Sequence, residues 1–229
     1  MPRRRLLAVA VAGALALSGL AACRDQPAVA AYVGSVQLTN ADVEKVAAEF
    51  PEETRARAMG AIRQFVVSSF VIGELSRQLA REHGITVPPV DVAPFADEAA
   101  RDAVPANGGF IRLLAEAEIA LRTIQPLGKA QAPTEADKRE VFAALVNDRK
   151  VSPDQYNDVK DQIDSASMRV AFGLRPLLRD SLSKYQVTVN PRYQPLSLDI
   201  PFTVGNVQSR IALSLEPAGR KPAVVDLNR

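Results

Sequence analysis

Tryptophan is absent from this sequence, and cysteine and histidine occur once each, as Cys23 and His83. A single cysteine excludes an internal disulfide. A single histidine removes most hydrolytic devices: a Ser-His-Asp or Cys-His arrangement would have to be built on His83, and no G-x-S-x-G elbow accompanies it. Zinc needs three or four His, Cys or carboxylate ligands held close together, and no such set stands out. Neither G-x-x-x-x-G-K nor G-x-G-x-x-G occurs, so no loop of either kind cradles phosphate or a dinucleotide. Glu116 and Glu118, two apart on a predicted helix, face different directions and read as a solvated face, not as an acid–base pair. The sequence therefore predicts no catalytic residue, no metal and no cofactor. His83, within Glu82-His83-Gly84, reads as a helix-end residue whose imidazole favours the negative pole of the dipole.

Aromatic residues make up only 5% of the 229 positions while alanine is abundant, a composition that suits a helical body better than packed β-sheets. Neither charge dominates, with 28 basic against 26 acidic side chains. The longest uncharged apolar run is N-terminal. Arg3, Arg4 and Arg5 precede an uncharged stretch from Leu6 to Leu20, which leads into Leu20-Ala21-Ala22-Cys23. A basic start, an apolar core shorter than a ~20-residue membrane span and small residues before a cysteine resemble the leader and lipobox of bacterial lipoproteins. The resemblance implies that residues 1–22 are a cleaved signal peptide. Cys23 would then become the lipid-bearing N-terminus, holding the protein to the extracytoplasmic face of the cell membrane. Cleavage would take three arginines and no acid, leaving 25 basic against 26 acidic side chains. Nothing in that balance calls for a nucleic-acid partner.

Residues 23–29 read as a tether. Alternation in Ala30–Leu38 with a Gly34-Ser35 turn predicts a small hairpin, and Thr39 with Asp42 is a capping-box pattern opening a helix to about Phe50. Pro51 ends it. A helix follows from about Glu53 to Glu82, and its middle, FVVSSFVIGEL, is apolar almost all round, which predicts the central buried helix. Gly84 stops it, and a proline-rich connector leads to a weakly patterned helix over 94–103. An amphipathic helix from Phe110 to Ile124 comes next, and Thr134 with Asp137 opens another to about Asn147. Ser152-Pro153 with Gln155 then predicts one long helix to about Lys184, kinked at Pro176, with Tyr156, Val159, Ile163, Ala166, Val170, Leu174 and Leu177 on its inner face. YQVTVNPRY reads as a strand, LSLDIPFTV and QSRIALSL as further strands or extended arms, and the last residues as a poorly ordered tail.

Three passages in order resemble the helical chaperone domain of SurA/PrsA-type proteins. AAYVGSVQLTNADVEKV is similar to the family's V-N-G-x-x-I-T-x-x-D-V opening, EHGITVPPVDV to its A-x-x-x-G-I-x-V-x-x-x-x-V passage, and YQVTVNPRY to its closing V-x-V-N-P-R-[YF] strand. The resemblance spans most of residues 28 to 195. It implies a mostly α domain over 30–195 whose small β element pairs the N-terminal strand with the strand after the last long helix. Residues 196–229 would be an extended C-terminal segment. It also implies a holdase or foldase role toward unfolded or exported polypeptides. The family's parvulin prolyl-isomerase module has no room here, because Gln125 to Ser152 is too short and only His83 is present, so that activity is not carried over. Which residues bind clients is not legible. Two other readings fit the sequence: an envelope scaffold docking one specific protein, and a lipid or small-molecule carrier, which would need a deep apolar cavity.

Overall fold

The structure, a computed structural model, describes residues 28–147, 149–204 and 207–215. Cys23 with the whole predicted leader, and the tail from residue 216 on, lie outside them. The described chain is mostly helical with two small antiparallel sheets.

Strands β1 (Val29–Val33) and β2 (Val36–Thr39) form the expected hairpin. Gly34 takes a φ of 61° at the first position of the two-residue turn, where a side chain would be strained. Thr39 caps α1 (Asn40–Ala47) by the predicted box: its hydroxyl accepts the Asp42 N–H at 3.1 Å while the Asp42 carboxylate accepts the Thr39 N–H. The N-terminal strand also pairs with the strand after the last long helix. In β3 (Thr188–Val189) Val189 lies opposite Ala31 and Thr188 opposite Tyr32, so β1 is the middle strand of the order β2-β1-β3.

Helix α2 (Glu52–Glu82) runs through the centre, bent at the non-helical Ala58. Every residue from Val66 to Ser76 is buried, and each large apolar side chain among them removes about 1.5–3 kcal/mol of exposed surface from water. The helix is long and apolar enough to cross a membrane, but half of its apolar window is buried inside this protein, as a core helix requires. α4 (Gly109–Ile124) and α7 (Ala166–Lys184) pack against it, and α3 (Ala96–Asp102), α5 (Glu135–Asn147) and the four-residue α6 (Tyr156–Val159) add buried side chains to the same apolar clusters. The weakly patterned region is not merely surface-lying: Phe95, Ala99 and Val104 join Phe50, Ile62 and Phe110 in a second apolar cluster, where the Phe50 and Phe110 rings meet edge to face at 4.6 Å.

The single helix expected from Ser152 to Lys184 does not form. Gln155 does reach back to accept the Ser152 N–H at 2.8 Å, but only a turn and α6 follow. The chain breaks between Lys160 and Ser165, and Ser165 starts a fresh helix by accepting the Met168 N–H at 3.4 Å. The break lets Val159 and Ile163 both reach the core, and α7 buries Met168, Ala171, Phe172, Leu174 and Leu178 while Ala166 stays exposed. α7 continues as one helix through Pro176.

Strands β4 (Ser197–Val204) and β5 (Val207–Ser214) form a second antiparallel hairpin, with Leu198 opposite Leu213 and Ile200 opposite Ile211. These four side chains are buried in the same cluster as Val71, Leu75, Leu174 and Leu178. The hairpin is therefore a wall of the helical body, held at its open end. Gln64 donates to the Pro195 carbonyl at 2.6 Å, and Arg175 and Arg179 donate to the carbonyls of Ser214 and Leu215.

Candidate functional site

Where β4–β5 lies across α2, α4 and α7, the packing leaves a half-open cavity of about 380 Å³. Phe65 and Ile72 from α2, Leu114 and Leu121 from α4, Val170 and Leu174 from α7, and Leu198 and Ile200 from β4 make its walls. The volume falls within the usual range of ligand pockets, ~300–1,000 Å³. The gap follows from the helix faces: Ala117, Ala166 and Ala171 are short where three helices and a hairpin converge.

Two charged groups on the hairpin open into this apolar space. Asp199 in β4 and Arg210 in β5 both line it. Asp199 lies opposite Ala212 and Arg210 opposite Pro201, so the two side chains are diagonal neighbours on one face of the hairpin. The Arg210 Nε is buried and has no hydrogen-bond partner. Burial pushes the Asp199 carboxyl up to about 6, against the opposing pull of Arg210's charge. Asp102 at the end of α3 is likewise raised by burial, with Arg101 and Arg210 opposing.

The Asp199 shift has a stability consequence of definite sign. An unfolded aspartate titrates near 3.9, so between about pH 4 and 6 the folded chain holds a proton there that the unfolded chain has lost. Stability from this group therefore falls as pH rises through that window. Asp199→Asn is expected to raise the melting temperature at pH 7.5, by no more than about 3 kcal/mol equivalent, and to give no gain at pH 4. Equal gains at the two pH values would show that the carboxylate is not desolvated.

Glu118 and Arg122 form an i,i+4 ion pair at the cavity rim. The solvated face expected for Glu116 and Glu118 is corrected here: their side chains are 32% and 19% exposed, and Glu116 pairs with Arg77 at 3.7 Å. Glu116 turns toward α2, where Arg77 sits, while Glu118 bonds Arg122 one turn along its own helix. His83 stands exposed at the C-cap of α2 and does not line the cavity. Among the described residues, no cluster of three His, Cys, Asp or Glu is placed to hold a metal.

The sequence reading named Cys23 alone as a site residue, and it lies outside the described residues. It singled out none of the hairpin's cavity residues. A signal was present in the alternating strands, where one acid interrupts LSLDI and one arginine interrupts SRIAL, each the sole charge in an apolar run. Chemically the arrangement offers an apolar slot with two acids, Glu118 and Asp199, and two arginines, Arg122 and Arg210, at its edge. Comparison with family models, with curated proteins and with solved structures finds no match to this chain.

Proposed function

We propose that this chain is a lipid-anchored, extracytoplasmic protein of SurA/PrsA type that holds unfolded or exported polypeptides without catalysing a reaction. The observation that carries the reading is the half-open apolar cavity between α2, α4, α7 and the β4–β5 hairpin. A slot of this kind, rimmed by Glu118 and Arg122, binds apolar segments weakly and reversibly, with affinity set by apolar area and no need for ATP. The order of the three SurA/PrsA-like passages supports the family, and the diacylated Cys23 would hold the slot close to the membrane through which clients emerge.

A soluble Cys23→Ala form without the leader is expected to slow the aggregation of two unrelated unfolded proteins, followed by light scattering at equimolar ratio. Val170→Asp, which puts a charge on a partly exposed cavity wall, is expected to abolish that effect while leaving the circular dichroism spectrum unchanged. Suppression that survives Val170→Asp would move the binding surface elsewhere; no suppression at all would remove the chaperone reading. A second reading is favoured by the cavity's size. An apolar small molecule or a lipid chain would fill 380 Å³, and its signature is a stoichiometric lipid in native mass spectra of protein purified without detergent.

A further inference from the structure

Within the cavity, the Arg210 Nε is buried without a hydrogen-bond partner, and the arginine's charge acts on Asp199 and also on Asp102 at the end of α3. The two groups make no direct ion pair with each other, although they are diagonal neighbours on the same hairpin face, roughly 7 Å apart at Cβ. A donor and an acceptor left open beside apolar walls call for a ligand that supplies one of each and carries no net charge. An amphiphile with an anionic head would satisfy Arg210 but stand against Asp199, and a cationic one would do the reverse. Peptide backbone meets both demands, because in an extended segment the N–H and C=O of one residue point to the same side.

We propose that Asp199 and Arg210 form a backbone-reading clamp. The Asp199 carboxylate accepts one client N–H and the Arg210 guanidinium donates to the same residue's C=O, while that residue's apolar neighbours enter between Phe65, Ile72, Leu114 and Leu174. The inference rests on the polypeptide-binding role and gives it a substrate class: extended, apolar, uncharged segments, chosen by backbone accessibility and not by a particular side chain. Peptides whose central residue lacks an N–H are discriminated against.

The test uses the lipidated full chain in lipid nanodiscs, with empty nanodiscs as the baseline. The probe is a fluorescent ten-residue peptide, capped at both ends, with Leu-Phe-Leu between Gly-Ser arms. Three further probes carry a single N-methyl group, one at each central amide. Fluorescence anisotropy is expected to show one central N-methylation weakening binding about tenfold or more, the size of a lost hydrogen bond to a charged group. A fourth probe, N-methylated in an arm, should bind like the parent. Arg210→Gln should weaken the parent peptide to a similar degree. Asp199→Ala, which leaves no acceptor, should weaken it too and erase the difference between parent and N-methylated probes. Because the probes vary while the protein stays constant, misfolding of a variant cannot mimic the result. Parent binding that is indifferent to every N-methylation and to both substitutions overturns the clamp and leaves the polypeptide-binding role standing. Absence of any peptide binding overturns both, and decanoate binding in its place assigns the cavity to an amphiphile.

Discussion

Gly173→Ala is expected to lower the melting temperature by about 6–12 °C, equivalent to about 3 kcal/mol in a chain of this size. Helix propensity alone predicts the reverse, since alanine is favoured over glycine by about 1 kcal/mol inside a helix. Packing decides the sign. The segment after α4 lies directly on α7, and a Cβ on Gly173 would sit 2.0 Å from the Lys129 carbonyl oxygen and 2.6 Å from its carbon. Those are backbone atoms, which cannot rotate away. The same segment is tied to α7 by the Gln131 N–H donating to the Arg169 carbonyl at 2.9 Å, and a Cβ on Gly128 would run into Leu174. The added methyl must therefore lift the whole connector from α4 to α5. Gly60→Ala in α2 is the matched control. Its Cβ would meet nothing within 4 Å, so it should gain up to about 1 kcal/mol. Thermal melts in which both substitutions stabilise would refute the close approach of connector and helix.

The second large effect is expected at Arg175. Its side chain is 12% exposed and reaches two neighbouring elements: Nε donates to the Ser214 carbonyl at 2.8 Å, Nη2 to Glu140 at 2.7 Å and Nη1 to Asp137 at 3.3 Å. Glu140 also accepts the Ser214 N–H. One guanidinium on α7 thus holds the first two turns of α5 and the last residue of β5. Arg175→Met keeps the stem but takes one charged donor from each of two neighbouring carboxylates and from a strand-end carbonyl. Breaking a buried pair costs about 3–5 kcal/mol. Both carboxylates here retain some water, so about 2–3 kcal/mol is expected. Arg175→Lys should recover only a minor part, because an ammonium cannot serve three directions with a fixed fork. Hydrogen exchange should show α5 and β5 losing protection ahead of α2. Uniform loss across all elements, or full recovery by lysine, would contradict the role of a clip.

Both capping boxes, Thr39 with Asp42 and Thr134 with Asp137, were legible because they are local: one hydroxyl and one carboxylate three residues apart close on each other whatever the surroundings. So were the buried middle of α2, from its unbroken apolar run, and the first hairpin, from its turn. The start of α4 was legible only as a glycine break. Its cap comes from Glu49, whose carboxylate accepts the Gly109 and Phe110 N–H groups at 2.7 and 2.9 Å from sixty residues away. The 156–177 pattern misled for a related reason. Val159 and Ile163 keep helical spacing with α7, yet both turn inward only because the chain breaks between them and Ser165. Spacing cannot distinguish a continuous face from two faces that meet at a corner. The cavity was the least legible feature, since it is made of what four elements fail to fill. The unmatched charges Asp199 and Arg210 were its one trace in the sequence, and they gain meaning only once β4 and β5 lie beside α2 and α7.

The middle place of β1 in its sheet has a consequence for how the molecule comes into being. Its second partner, β3, is made some 160 residues later, which at ribosomal speeds of about 5–20 residues per second is a wait of roughly ten to thirty seconds. For most of that interval the nascent chain carries the apolar run of α2 with neither the closing strand nor the hairpin that will cover it. The body proposed here to shelter exposed segments of other chains thus passes through its own long period of needing shelter.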